Sequence, residues 1–209
     1  MHPGLRSIRA YFPEIHNEQL SLLGRLADGY LYWNDRINVI SRKDMENLYE
    51  HHILYSLAIA KYNPFLPGER IVDVGTGGGL PGLPLAILFP ASRFHLIDGT
   101  GKKIRVVEAL AGTLQLGNVT FQKIRAEELR GSWDYVTGRG VGKFRVFRRQ
   151  TRHLLKKKAP GARGGILYLT GGTLDDHLGP YGKEVTVTPV SLYFKEPFFE
   201  TKKILFANT

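Results

Sequence analysis

Five glycines fall within eight residues, Gly75-Thr76-Gly77-Gly78-Gly79-Leu80-Pro81-Gly82, directly after the apolar run Ile71-Val72-Asp73-Val74. Glycine alone adopts left-handed backbone without strain and lets another group approach the main chain closely. A strand that ends in such a loop and restarts as a helix is the opening unit of a parallel α/β sheet. The following residues keep that rhythm. Residues 80–88 read as a helix with Pro81 and Pro84 in its first turn, where a missing N–H costs little. Residues 94–97 read as a second strand closed by Asp98. Residues 102–116 read as a helix with Ile104, Val107, Ala111 and Leu114 on one face. Further strands are expected at 119–124, 135–137 and 166–169. The last two flank a helix whose apolar stripe is Phe144, Phe147, Thr151, Leu154 and Leu155. Two terminal strands, 184–194 and 203–206, surround Glu196-Pro197. The implied fold class is α/β: a Rossmann-like, doubly wound, mainly parallel sheet with an antiparallel edge.

Ahead of this pattern the texture is helical. Leu20, Leu23, Leu26, Ala27, Tyr30, Trp33 and Ile37 recur at helical spacing over 17–37, with Asn17 as the expected cap. Ser41 and Asp44 resemble a capping box opening a second helix to about Lys61. Asn63-Pro64 and Pro67-Gly68 then punctuate the chain. The expected organisation is a helical extension, 1–63, and a nucleotide-binding domain, 64–209. Zero cysteines among 209 residues exclude disulfides, thiolate metal sites and a cysteine nucleophile, and no metal is expected. No run approaches the roughly 20 apolar residues of a membrane span. Residues 1–6 lack a signal-peptide core. A soluble cytoplasmic monomer without membrane contact is expected.

The net charge of +10 has an address. Ten basic residues, Arg139, Lys143, Arg145, Arg148, Arg149, Arg152, Lys156, Lys157, Lys158 and Arg163, occur with no Asp or Glu among them. The remaining chain is balanced, with 19 basic and 19 acidic residues. Such a block is the footprint of a polyanion partner or a solvated helix face.

Asp98 stands 21 positions after Gly77, where a carboxylate can accept hydrogen bonds from both ribose hydroxyls of an adenosine ligand. Gly77-x-Gly79-x-x-Gly82 also matches a dinucleotide fingerprint, so the glycines leave two cofactors open. Asp73 favours S-adenosylmethionine, because a carboxylate beside the loop repels a pyrophosphate and attracts an ammonium and a sulfonium. The candidate cofactor residues of this unit are Asp73, Gly75, Thr76, Gly77, Gly79, Leu80 and Asp98. Glu127-Glu128 follows the third strand, near the expected adenine amino group.

The order and spacing of several landmarks is specific: Trp33-Asn34-x-x-x-Asn38-x-x-Ser41, His52-Ile53-Leu54-x-Ser56, the glycine unit from Asp73 to Gly82, Asp98-x-x-Gly101-Lys102-Lys103, Arg125-Ala126-Glu127-Glu128 and Arg139. On these the chain, from about Trp33 onward, resembles the bacterial 16S ribosomal RNA guanine-N7 methyltransferase family (methyltransferase G, glucose-inhibited division protein B). The resemblance implies a class I methyltransferase with S-adenosylmethionine as cofactor and 16S ribosomal RNA or the small subunit as partner. It implies cofactor contacts at Gly75, Leu80, Ala126, Glu127 and Arg139, with Asp98 on the ribose. Arg139 is the positioning candidate; no other catalytic residue is assigned. RNA contacts are expected from Lys143, Arg145, Arg148, Arg149, Arg152 and Lys156.

Guanine N7 carries a free lone pair, so positioning without a general base can suffice. No thiolate is present for covalent methylation of a pyrimidine, and no Asn/Asp-Pro-Pro-aromatic segment follows the fourth strand for an exocyclic amine. The chain departs from the family at Tyr55, where Asp is frequent, at Gly99 and Gly138 for Ser, Gly140 for Ala, and Thr170 for Lys. The extra glycines are expected to loosen the cleft, which motivates an alternative: an RNA-binding or ribosome-assembly module with a vestigial cofactor site. A dinucleotide oxidoreductase is a third option. His51 and His52 read as packing or surface residues.

Overall fold

The computed structural model describes residues 1–157, 162–178 and 184–208, with Asp175 and Asp176 as backbone only. Helices α1 (Pro3–Tyr11) and α2 (Asn17–Asn34) lead into a 3-10 segment (Arg42–Asn47), a π-helical segment (Leu48–Leu54) and α3 (Tyr55–Tyr62). The alternating part is β1 (Arg70–Val74), α4 (Gly82–Leu88), β2 (Arg93–Asp98), α5 (Gly101–Thr113), β3 (Val119–Lys123), β4 (Tyr135–Arg139), α6 (Phe144–Thr151) and β5 (Gly165–Gly171). The single turn α7 (Asp175–Leu178), β6 (Thr186–Pro189) and β7 (Lys202–Ala207) complete it. The seven strands lie in the order β3-β2-β1-β4-β5-β7-β6; the first five are parallel, and β7 runs antiparallel to both its neighbours. The expected doubly wound sheet with an antiparallel edge is what forms.

Side chains alternate between two cores because strand residues alternate faces. In β5, Leu167 and Leu169 enter one cluster and Ile166 and Tyr168 the other. The first cluster holds α4, α5 and the N-terminal helices together. Leu23, Leu26, Tyr30, Ile53 and Leu57 are fully buried in it with Ile71, Leu83, Leu96 and Ile204. Residues 1–63 therefore share the core of the sheet domain. The second cluster is α6 against the sheet, with Phe144, Phe147 and Leu154 buried and Leu155 partly so.

Several boundaries depart from expectation. Helix α1 carries no long apolar stripe and was not anticipated; Ile8 is its buried residue. α2 is capped from His16, not Asn17. It stops at Asn34, whose Oδ1 accepts from the Val39 and Ile40 N–H groups, both at 2.9 Å, while Nδ2 donates to the Ile40 carbonyl at 2.9 Å. That buried amide replaces the helix continuation to residue 37. Ser41 makes no side-chain cap bond, so the capping box is absent, and the second helix splits into 3-10, π and α segments. Pro81 is the cap of α4 and not within its first turn. The expected strand 184–194 is shorter, giving way to a 3-10 turn at Val190–Leu192. Lys158 lies outside the described residues.

Candidate cofactor and RNA site

The glycine loop leaves β1 where the strand order reverses between β1 and β4, the usual ligand crevice of such sheets. Asp73 holds the loop from below. Its carboxylate is fully buried and accepts from Thr76 Oγ1 at 2.6 Å, Thr137 Oγ1 at 2.9 Å and the Gly82 N–H at 3.0 Å. Burial raises its pKa to about 6 against the lowering effect of those donors and of Arg139. The carboxylate is thus turned onto the loop and β4, and it shapes the loop. Gly77, at φ +58°, has no atom within 4 Å of the Cβ it lacks. The loop backbone there is open to a ligand, a cradle suited to a nucleoside. Gly75, at φ +67°, is roofed by the Val141 side chain at 2.8 Å from its missing Cβ. Gly79 also has positive φ, and Thr76 and Leu80 are buried, the Thr76 carbonyl accepting from the Gly79 and Leu80 N–H groups at 2.9 Å.

Asp98 ends β2 on the same edge. Its Oδ2 accepts from the Gly77 N–H at 3.1 Å and its Oδ1 from the Thr100 N–H at 2.8 Å, while Lys103 Nζ stands 3.9 Å away. Each oxygen keeps acceptor capacity for a ribose hydroxyl. Ala126 follows β3 at that edge, half-buried, and Glu127 is exposed with Oε1 accepting from Gln150 of α6 at 2.6 Å. The residues fit an adenosine-type cofactor.

Arg139 closes β4 and reaches across to the N-terminal helices. It donates to the His51 carbonyl at 3.4 Å and to His52 Nδ1 at 3.2 Å, and lies 6.0 Å from the Tyr55 ring centroid. Burial lowers its pKa. Behind it, Asp44 binds His51 Nδ1 at 2.6 Å and His52 Nε2 at 2.7 Å. Burial opposes the Asp44 charge, but hydrogen bonds from His51, Asn47 and His52 win and hold its pKa below the usual carboxylate value. Burial, helped by Arg139, pushes His52 down to about 4. His51 stacks on Phe198, with centroids 3.7 Å apart. Tyr55 donates to the Thr170 carbonyl at 2.7 Å, and Tyr30 donates to the Gly78 carbonyl at 3.0 Å. Of this group the sequence marks Arg139 and the His52 stretch; Asp44 reads there as a helix cap and Tyr30 as part of an apolar stripe, so their polar roles leave no local signal.

The expected loosening by glycine is corrected at Gly138. A Cβ there would sit 2.5 Å from Phe147 Cζ, so the space is filled by a ring of α6. The six expected RNA residues separate into two groups. Arg145, Arg149 and Arg152 are exposed on the outer side of α6 and its 3-10 extension, and make no salt bridge with a described residue. Lys143 is exposed at the α6 cap. Arg148 instead pairs with Glu184 at 2.6 Å, and Lys156 with Asp134 at 2.8 Å.

The family model described as rRNA small subunit methyltransferase G (GidB) matches residues 19–196. The ribosomal RNA small subunit methyltransferase G of Bacteroides thetaiotaomicron is 44% identical over 202 residues, covering 96% of this chain and 98% of that protein. That of Christiangramia forsetii is 45% identical over 203 residues, covering 97% and 96%. Among solved structures, precorrin-6y C5,15-methyltransferase from Geobacter metallireducens aligns with TM-score 0.54 at 14% identity, covering 83% of this chain and 91% of that one. Fibrillarin, from its complex with Nop5p, aligns with TM-score 0.52 at 12% identity, covering 72% and 78%. At such identities the structural likeness speaks for the fold alone.

Proposed function

The chain belongs to the rRNA small subunit methyltransferase G family, and from that premise we propose that it methylates N7 of a guanine in 16S ribosomal RNA. It is an S-adenosylmethionine-dependent methyltransferase of small-subunit ribosomal RNA. The observation that carries the reading is the family match over nearly the whole chain; the cradle formed by Gly77 and Asp98 supports it.

Bound S-adenosylmethionine supplies an electrophilic methyl group on a sulfonium. The protein's part is to hold donor and acceptor in line, because N7 needs no deprotonation. Asp98 accepts the ribose hydroxyls, and the backbone of Gly75, Thr76, Gly77, Gly79 and Leu80 forms the wall of the cofactor site. Ala126 and Glu127 flank the adenine. Arg139 takes an acceptor in the cleft, either the carboxylate of the amino-acid end or the guanine edge, through its planar fork. The exposed side of α6 lies along the RNA backbone. Residues 1–63 serve as a helical cap on the cofactor domain. All these residues come from one chain, so a monomer suffices, and the cytoplasm is the compartment that holds the RNA.

The test is incubation of the purified protein with S-adenosylmethionine and small subunits or 16S RNA, followed by cleavage at N7-methylguanine. A single strong stop at one guanine is expected. Methyl incorporation without N7 cleavage would replace guanine N7 by another acceptor. Absence of S-adenosylmethionine binding by calorimetry would favour a vestigial site.

A further inference from the structure

Arg139 is a guanidinium in a partly buried cleft with an unusual anchor. Among the described residues no carboxylate lies within 4.0 Å of it. Tyr55 donates its hydroxyl to the Thr170 carbonyl and offers no negative charge. The side chain that does meet Arg139 is the imidazole of His52.

The protonation of that imidazole follows from its partners. A guanidinium has donors only, so His52 Nδ1, 3.2 Å from Arg139, must present its lone pair. The ring proton is then on Nε2, 2.7 Å from Asp44 Oδ2, where a carboxylate accepts it. The other Asp44 oxygen is occupied by His51 Nδ1 at 2.6 Å and Asn47 Nδ2 at 3.2 Å. Asp44 is therefore fixed from both sides, His52 is neutral with one tautomer, and Arg139 has a fixed acceptor. The charged and titratable groups around this chain of contacts are Asp73, Tyr30, Tyr55, Lys202 and Glu50, the last 3.7 Å from His51 Nε2, as well as Asp44 and His51. None of them neutralises the guanidinium by contact.

We propose that His52, its tautomer set by Asp44, is a positioning residue for methyl transfer, holding Arg139 in the cleft by a neutral acceptor so that its charge stays available to a planar acceptor on cofactor or substrate. A carboxylate in the place of His52 would fix the guanidinium equally well but would also pair with it. The neutral ring separates the two effects: it orients without quenching. The device joins the helical cap to the end of β4, 87 residues away in the sequence. It rests on the methyltransferase reading given above.

Two substitutions separate positioning from simple support. His52→Asn places an amide oxygen where Nδ1 stands, keeping the acceptor for Arg139 and losing the bond to Asp44. His52→Gln reaches the Nε2 position, keeping the Asp44 bond and losing the acceptor. The measurements are single-turnover methylation with saturating RNA, thermal melting, and calorimetry with S-adenosylhomocysteine and methylthioadenosine, which lacks the amino-acid end. Expected for His52→Asn is a rate within about threefold of the parent. His52→Gln should lose at least about tenfold while melting within a few degrees of it.

If Arg139 takes the carboxylate, His52→Gln weakens S-adenosylhomocysteine and leaves methylthioadenosine unchanged. If it takes the guanine, both affinities hold and the rate alone falls. In either case His52→Gln should cause no further loss in an Arg139→Ala background. A His52→Gln enzyme as fast as the parent, or Asn and Gln variants equally slow, would overturn the proposal. So would additive losses in the Arg139→Ala background. A parent that binds both ligands but methylates no RNA would instead count against the functional reading, leaving the ligand-binding arm to judge His52.

Discussion

Asp98 and Asp73 both accept from N–H groups of the same loop yet answer to different tests. Asp98 keeps free acceptor capacity beside the open backbone of Gly77. Asp98→Ala is expected to weaken S-adenosylmethionine binding by about 1.5–3 kcal/mol, the range for hydrogen bonds to a charged group. Calorimetry checks this, and an unchanged affinity would remove Asp98 from the site. Asp73 is instead a buried structural acid whose folded pKa, about 6, lies above the ordinary carboxylate value of 3.8. The native state then holds its proton more tightly than the unfolded chain. Its contribution to stability is fully present below about pH 4 and is lost as pH rises through about 6. The melting temperature of the parent relative to Asp73→Asn should therefore rise as pH falls from about 7 to about 4. A difference that stays flat across that window would show that Asp73 titrates normally.

At the scale of elements, α6 carries two faces with separate duties. Its inner face fills the sheet with Phe144 and Phe147, and the Phe147 ring occupies the space that a side chain on Gly138 of β4 would need. Gly138→Ser should force that ring aside and cost about 1–3 kcal/mol in chemical denaturation, the usual penalty for overpacking. A variant as stable as the parent would show that the ring yields freely. The outer face presents Arg145, Arg149 and Arg152 without salt-bridge partners among the described residues. Changing these three to glutamine should flatten the dependence of log K for RNA on log salt. The expected change in slope is about 0.7 for each single-strand phosphate that is no longer neutralised. Cofactor affinity should hold. An unaltered slope would make this face merely solvated. Arg148 is left out because its pairing with Glu184 gives it a structural reason to be there.

For the whole molecule, the division at residue 63 marks a change in sequence texture and not a break in the core. Leu23, Leu26, Tyr30 and Leu57 are buried in one cluster with Ile71, Leu83 and Phe94. Residues 64–209 produced alone would expose that apolar surface, at about 25 cal/mol for each Å² uncovered. That fragment is expected to aggregate or to melt well below the full chain. The intact protein should unfold in one cooperative transition seen alike by near- and far-ultraviolet dichroism. A fragment as stable as the parent would mean that the cap is a separate unit.

The sequence determined the sheet, the glycine loop and the basic helix, because each is written in short-range terms. Buried parallel strands are apolar runs, Gly75, Gly77 and Gly79 satisfy a local backbone demand, and the Phe144, Phe147 and Leu154 stripe repeats at helical spacing. Spacing also placed Asp98 at the end of the second strand and Glu127 after the third, and the family landmarks added the expectation that Ala126, Glu127 and Arg139 meet the cofactor. Tertiary structure decided what those side chains touch. The end of α2 depends on Asn34 turning back on Ile40, and the loss of the Ser41 cap on how the chain packs beyond it. The inward commitment of Asp73 depends on Thr137, 64 residues away, and the anchor of Arg139 on a histidine 87 residues earlier. Periodicity states which face of an element is apolar. It carries no information about which distant polar group will meet a given donor, because that pairing exists only once helices and strands have been packed around a shared core.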